Sequence, residues 1–113
     1  MLTNKVAIIT GGTRGIGYAI AKKFLDNNAK VVILGSKEET VTKALTSLKE
    51  ENELYDVTGY YPNLTNEDSV REMFEKVVEQ YGKVDILVNN AGVSSRTPLK
   101  EHRYSLNKGD ILF

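Results

Sequence analysis

The sequence predicts an α/β fold, in which a parallel sheet of about four strands is flanked by helices. Short apolar runs alternate along the chain with segments of helical periodicity, in the order βαβαβαβ. The runs are almost wholly apolar, which is typical of strands that are buried on both faces. Right-handed crossovers between such strands place helices on both sides of the sheet. With 113 residues, 41% of them apolar, the chain is long enough for one domain with its own core.

The first strand is predicted over residues 5–10 (KVAIIT) and the second over residues 30–34 (KVVIL). Between them lies a helix, because apolar residues recur at helical spacing, namely Ile16, Ile20 and Phe24. The polar segment at residues 26–30 (DNNAK) ends this helix.

A second helix follows the second strand, with an apolar stripe formed by Val41, Ala44, Leu45 and Leu48. Ser36 opens this helix, and Glu39 comes three residues later, which is the pattern of a capping box. A third strand is predicted over residues 55–61 (YDVTGYY), although Gly59 is unfavourable inside a strand.

The third helix has the most regular pattern in the sequence. Its apolar residues fall at i, i+3, i+4, i+7, i+8 and i+11: Val70, Met73, Phe74, Val77, Val78 and Tyr81. Thr65 with Asp68 is predicted to cap its start, and Gly82 to end it. The fourth strand is residues 83–89 (KVDILVN). Residues 93–113 have no sustained period, so they are predicted to form an irregular tail, with a short helix or strand at its end.

Composition excludes several classes of function. Fifteen basic residues balance fifteen acidic ones, which argues against binding to nucleic acid or to an anionic membrane surface. The chain has no cysteine, and therefore no disulfide or thiolate chemistry. No apolar run reaches the roughly 18 residues of a membrane span. We therefore expect a soluble, cytoplasmic protein, and the sequence predicts no metal site.

The turn after the first strand, TGGTRGIG at residues 10–17, predicts an anion site. Glycines at 11, 15 and 17 tolerate positive φ and let a pyrophosphate approach the backbone at a helix start. A P-loop requires a lysine after Gly17, but Tyr18 stands there. The GxGxxG fingerprint is also absent, since the spacing is GxxxGxG. The alternative is that a tight turn between strand and helix simply favours glycine.

With its leading threonine, TGGTRGIG resembles the TGxxxGIG motif of the short-chain dehydrogenase/reductase family. The motif NNAG, residues 89–92, follows the fourth strand and resembles a second motif of the same family. The resemblance covers residues 3–99, the N-terminal half of the family. The segments VAIITGGTRGIG, NLTNEDSV and YGKVDILVNNAG look most like bacterial 3-oxoacyl-[acyl-carrier-protein] reductases and related polyol or sugar dehydrogenases. The resemblance implies a Rossmann-like dinucleotide-binding unit over residues 1–92, which is truncated relative to the full family fold.

The resemblance also implies the residues of a nicotinamide dinucleotide site. Gly11, Gly15, Ile16 and Gly17 of the glycine turn would cradle the pyrophosphate. Thr13 and Arg14 of the same turn would also bind the cofactor. Asn63 and Leu64 would frame the adenine, and Asn90, Ala91 and Gly92 would lie beside the adenosine ribose. The alternative for NNAG is a turn that only caps the fourth strand.

The cofactor is expected to be NADP(H), with NAD as the alternative. An acid at the tip of the second strand would bind the ribose 2′-hydroxyl of NAD, whereas a basic residue suits the 2′-phosphate of NADP. Here the strand is followed by Ser36 and Lys37, and Arg14 matches an arginine in the glycine loop of related reductases. The alternative is that Ser36 only caps a helix, and that both cations are surface residues.

The family's catalytic Ser, Tyr, Lys and Asn set is not assigned to this chain. The segment YSLNK has the Tyr-x-x-x-Lys spacing, but Tyr104 comes only 12 residues after Gly92, without the strand that would carry the serine. Asn107 is a candidate for the family's proton-relay asparagine. We therefore expect an NADP(H)-dependent oxidoreductase present as a cofactor-binding fragment or truncated form that is inactive alone. The alternative is a non-catalytic dinucleotide-binding or interaction module. An open edge on the fourth strand predicts a homo-oligomer or completion by another chain.

Overall fold

A computed structural model describes residues 2–90 and the backbone of residues 111–112. In this part of the chain the elements are β1 (Val6–Thr10), α1 (Gly15–Asp26), β2 (Lys30–Leu34), α2 (Glu38–Glu51), β3 (Val57–Tyr60), α3 (Glu67–Tyr81), β4 (Ile86–Asn89) and β5 (Ile111–Leu112). All strands pair in parallel, in the order β3-β2-β1-β4-β5. The predicted α/β fold is confirmed.

β1 lies at the centre of the sheet and is buried along its whole length. It pairs with β2 from Val6↔Lys30 to Thr10↔Leu34, and with β4 from Ala7↔Ile86 to Thr10↔Asn89. The chain builds the sheet outward from β1 to β3 and then returns to place β4 on the other side of β1. Such a reversal leaves a crevice at the carboxyl ends of the strands, where parallel α/β sheets bind ligands.

The helices cover both faces of the sheet, as predicted. Ala7 and Ile9 of β1 pack in one buried cluster with Ala21 and Leu25 of α1 and with residues of α2. The alternate β1 residues, Val6 and Ile8, pack on the opposite face with the apolar residues of α3. Successive side chains of a strand point to opposite faces, so one strand contributes to both halves of the core.

The helix predicted from Ile16, Ile20 and Phe24 is present as α1, but its first apolar residue is not buried. Ile16 is 73% exposed, and the buried residues of α1 are Gly17, Ala21 and Leu25, with Ile20 and Phe24 partly buried beside them. Val78 of α3 is likewise exposed, although it falls at the helical spacing of that helix.

Two predicted helix caps are wrong. The residue before α2 is Lys37, without a side-chain capping bond, and Ser36 lies one residue outside the helix start. α3 is capped by Asn66, whose Oδ1 accepts a hydrogen bond from the Ser69 N–H at 3.0 Å. Thr65 bonds instead to Asn63. Gly82 ends α3 with φ of 85°, as predicted.

The outer edge of β4 is not fully open, in contrast to the prediction. β5 pairs with it in parallel, through Ile86↔Ile111 and Leu87↔Leu112. The end of the chain therefore adds a short strand to this side of the sheet, a possibility that the sequence had left open.

Candidate functional site

A cavity of about 560 Å³ opens at the carboxyl edge of the sheet, beside the turn that follows β1. Six of the predicted cofactor-binding residues line it: Gly11, Thr13, Arg14, Ser36, Asn63 and Leu64. Four more lining residues were not predicted, namely Leu34, Gly35, Tyr61 and Pro62. Leu34 and Gly35 lie at the end of β2, and Tyr61 and Pro62 follow β3. The order of the strands in the sheet, rather than a sequence motif, is the signal that could have identified them.

The glycine turn holds the start of α1 against the end of β1. A Cβ atom on Gly17 would overlap the carbonyl oxygen of Gly11 and lie 2.8 Å from Nδ2 of Asn90. Gly15 has a φ of 62°, a conformation that side chains disfavour, and it faces open space. The start of α1 is therefore open at Gly15, whereas Gly17 is packed against the turn.

The amino end of α1 differs from those of the other helices. Arg14 precedes it in extended conformation, no side chain caps it, and its first turn contains no acidic residue. The first turn of α2 contains two glutamates, and that of α3 contains Glu67 and Asp68 behind the Asn66 cap. Unpaired N–H groups and the helix dipole favour an anion, so α1 offers a site for negative charge.

The charge of the cavity wall also favours the binding of an anion. Arg14 is its only charged member among the residues that the structure describes, and Ser36 is the lining residue directly after Gly35. Gly35 is packed closely, because a Cβ atom there would lie 2.8 Å from side-chain carbons of both Thr13 and Val41. This packing fixes the path of the chain from β2 into the cavity wall.

The second glycine motif meets the first where β1 and β4 end side by side. Thr10 is fully buried, and its Oγ1 donates to the carbonyl of Val88 at 3.4 Å and to Oδ1 of Asn89 at 3.3 Å. Nδ2 of Asn90 donates to the carbonyl of Gly11 at 3.4 Å. Both asparagines therefore fasten the two strand ends together within the described structure.

Five of the predicted site residues that the structure describes are not among the residues that line the cavity. Gly15, Ile16 and Gly17 form the first turn of α1, Lys37 precedes α2, and Asn90 donates a hydrogen bond to the carbonyl of Gly11. Ala91, Gly92 and Asn107 lie outside the described residues, as do Tyr104 and Lys108. Within the described ranges, no group of three or more His, Asp or Glu side chains is arranged to hold a metal ion, and no helix is long and apolar enough to cross a bilayer.

The perturbed ionisable groups lie away from this cavity. Tyr55 donates a hydrogen bond to Asp26 at the carboxyl end of α1, and this bond lowers the pKa of Asp26 and raises that of Tyr55. Lys22 bridges α1 to Glu51 of α2 at 3.7 Å. Its pKa is raised, chiefly by its hydrogen bond to Asp26. These groups connect α1 to α2 and to the segment before β3.

Comparison with known proteins decides the family. The model of the short chain dehydrogenase family matches residues 5–107. The chain belongs to this family. The resemblance of the two glycine motifs to short-chain dehydrogenases is thereby confirmed, and members of the family bind nicotinamide dinucleotides.

Similar short-chain dehydrogenases include enzymes of several substrate classes. The chain is 54% identical over 97 residues to a 3α-hydroxysteroid dehydrogenase of Mediterraneibacter gnavus, covering 86% of this chain and 39% of that protein. It is 38% identical over 94 residues to a 3-oxoacyl-[acyl-carrier-protein] reductase of Chlamydia muridarum, covering 83% and 38%. The structure of a metagenomic short-chain oxidoreductase in complex with NADP matches with a TM-score of 0.74 at 32% identity, covering 81% and 41%. The chain thus spans about two fifths of the length of these relatives.

Proposed function

We propose that this chain forms the cofactor-binding part of an NADP(H)-dependent oxidoreductase that reduces carbonyl groups or oxidises alcohols. The observation that carries the proposal is that Arg14, which stands at the uncapped start of α1, and Ser36 line one cavity at the carboxyl edge of the sheet. The metagenomic relative, whose structure contains NADP, supports this choice of cofactor.

Each part of the crevice suits one part of the cofactor. The N–H groups at the start of α1 would hold the pyrophosphate, because they lack capping side chains and the helix dipole favours anions there. Arg14 and the hydroxyl of Ser36 would contact the 2′-phosphate of the ribose. The strand ends of β1 and β3 are about 10 Å apart, because neighbouring strands are spaced by about 4.8 Å. The cavity can therefore extend from the phosphates to the base of the same nucleotide.

The residues of this chain bind and orient the cofactor in the proposed reaction. When bound, the nicotinamide would supply or accept the hydride. Thr10, Asn89 and Asn90 would hold the ends of β1 and β4 in register, since they bond these ends together. Asn107 stays a candidate for the relay asparagine, and no described residue is assigned as proton donor.

Several expectations about the whole protein remain proposals. They include the division into residues 1–92 and 93–113, the homo-oligomer or completion by another chain, and the cytoplasmic location. The activity of the full family fold is proposed in the same sense, because the chain spans about two fifths of its relatives.

Fluorescence titration of the full chain with NADPH and NADH, beside an assay of ketone reduction, tests the proposal. We expect NADPH to bind at least about tenfold more tightly than NADH, since a charge-assisted bond to phosphate contributes about 1.5–3 kcal/mol. Equal affinities would overturn the preference for NADP, and no binding of either would overturn the proposed function. Binding without turnover is the result that we expect from this chain alone, and ketone reduction by this chain would contradict the expectation that it is inactive alone.

A further inference from the structure

The part of the crevice that lies farthest from α1 is mainly apolar. Leu34 ends β2, and Tyr61, Pro62 and Leu64 follow β3, all in the cavity wall. Such surfaces accept the flat face of a purine base. Asn63 lies in the same wall and is the residue whose side chain can distinguish polar groups on the edge of that base.

Three of the four polar groups of Asn63 are used inside the protein. Its N–H donates to Oγ of Ser69 at 2.9 Å, and its carbonyl accepts from the N–H of Asn66 at 3.0 Å. Its Oδ1 accepts from both the N–H and the hydroxyl of Thr65, at 3.0 and 2.7 Å. A backbone N–H can only donate, so the side-chain atom that faces Thr65 must be the oxygen.

This arrangement leaves Nδ2 as the one polar group of Asn63 without a partner among the described residues. The N–H of Leu64, next along the chain, also has no acceptor there. Both groups are donors. The base end of the crevice therefore offers hydrogen-bond donors from Asn63 and Leu64, whereas the carboxamide oxygen is already occupied.

We propose that this end of the crevice accepts dinucleotides with a 6-oxopurine base as readily as those with adenine. Adenine carries an amine at C6, which needs an acceptor that Asn63 does not provide. Hypoxanthine carries a carbonyl oxygen at the same place, and that oxygen can accept from Nδ2. Adenine can instead accept at N1, which in hypoxanthine carries a hydrogen and cannot accept, so neither base gains a decisive advantage. This inference rests on the proposed dinucleotide function.

The test compares NADP⁺ with its hypoxanthine analogue, nicotinamide hypoxanthine dinucleotide phosphate, by calorimetric titration of the full chain. We expect dissociation constants within about threefold of each other, because no bond selects the amine. In the variant Asn63→Asp, the second carboxylate oxygen replaces Nδ2, accepts from the amine and repels the carbonyl. The preference of this variant for adenine should rise by about tenfold.

Asn66→Asp is the matched control, since it adds the same charge three residues later, outside the cavity lining, and keeps an acceptor for the Ser69 N–H. Its ratio of dissociation constants should equal that of the unmodified chain. The inference is overturned if the unmodified chain prefers adenine by more than about threefold, if Asn63→Asp leaves the ratio unchanged, or if Asn66→Asp shifts it equally. Failure of both dinucleotides to bind would overturn the proposed function and this inference with it.

Discussion

The starts of α1 and α3 face the same edge of the sheet, yet they are built in opposite ways. α3 begins with Asn66, whose side chain accepts from the Ser69 N–H, and two acidic residues follow in its first turn. α1 begins after Arg14, without a capping side chain or an acidic residue. The start of α3 is closed by its own residues, whereas the start of α1 is left open beside a cavity.

The two helix starts differ because one contributes to the stability of the fold and the other to anion binding. A capping side chain contributes about 1 kcal/mol to a helix start, so its omission at α1 is a cost that a bound anion can offset. Glycines at the α1 turn add to this cost in the unliganded chain, because they are the most flexible residues of the unfolded state. The start of α3 carries no such cost, and we expect it to contribute only to the fold.

The largest effect is expected from Gly17→Ala, which breaks the open start of α1. The added Cβ would overlap the backbone carbonyl of Gly11, which no side-chain movement can relieve. We expect the free energy of unfolding to fall by about 1–3 kcal/mol, and the affinity for NADPH to fall at least about tenfold. Urea unfolding and fluorescence titration measure the two losses. Gly82→Ala, at the end of α3, should lower stability by about 1 kcal/mol without changing affinity; an equal loss of affinity there would contradict the account.

Arg14→Gln tests whether charge at the open helix start selects the cofactor. Affinity for NADPH should fall about tenfold while that for NADH stays unchanged, because only the former carries the 2′-phosphate. Arg71→Gln is the control on α3, where this arginine pairs with Asp68 at 2.8 Å on the surface. It should leave both dissociation constants unchanged. A parallel loss of NADH binding in Arg14→Gln would assign Arg14 to the pyrophosphate instead.

Asn66→Ala tests the closed helix start. Removal of the cap should lower the free energy of unfolding by about 1 kcal/mol, measured by urea denaturation. The dissociation constant of NADPH should change by less than about twofold, since Asn66 does not line the cavity. A tenfold loss of affinity would mean that α3, too, takes part in cofactor binding.

The smallest expected effect is on the pH dependence of stability, and it concerns the carboxyl end of α1. There the hydroxyl of Tyr55 donates a hydrogen bond to Asp26. This bond lowers the pKa of Asp26 below its ordinary value of 3.8. The stabilisation is therefore complete above that value, and it is lost as the pH falls through the lowered pKa of the folded state. Tyr55→Phe should reduce the loss of stability between about pH 5 and about pH 2, measured by urea unfolding. Identical pH profiles for the two proteins would contradict this linkage.

Much of this comparison could be predicted from the sequence, because it depends on local patterns. The buried strands β1 and β2, the helix α3 and its Gly82 end all follow from periodicity and turn chemistry. The glycine turn and its family were identified from motif spacing. Local patterns also predicted the confirmed position of helices on both faces of the sheet.

The errors arose where contacts between distant residues decide the structure. Ile16 lies at the helical spacing of α1 but is exposed, and the buried neighbour is Gly17, which leaves no room for a side chain beside Gly11. Ser36 matches a capping box, yet the packing of Gly35 between Thr13 and Val41 directs the chain into the cavity wall. Tyr61 and Pro62 line the cavity because β3 lies beside β2, and no short sequence motif predicts that pairing.

Amide chemical shifts of the full chain, recorded by NMR during titration with NADP⁺, test the open helix start most directly. We expect saturable shifts that are largest at the amides from Arg14 to Gly17, with those of Glu67 and Asp68 nearly unchanged. Largest shifts at the start of α3, or none at the start of α1, would contradict this expectation.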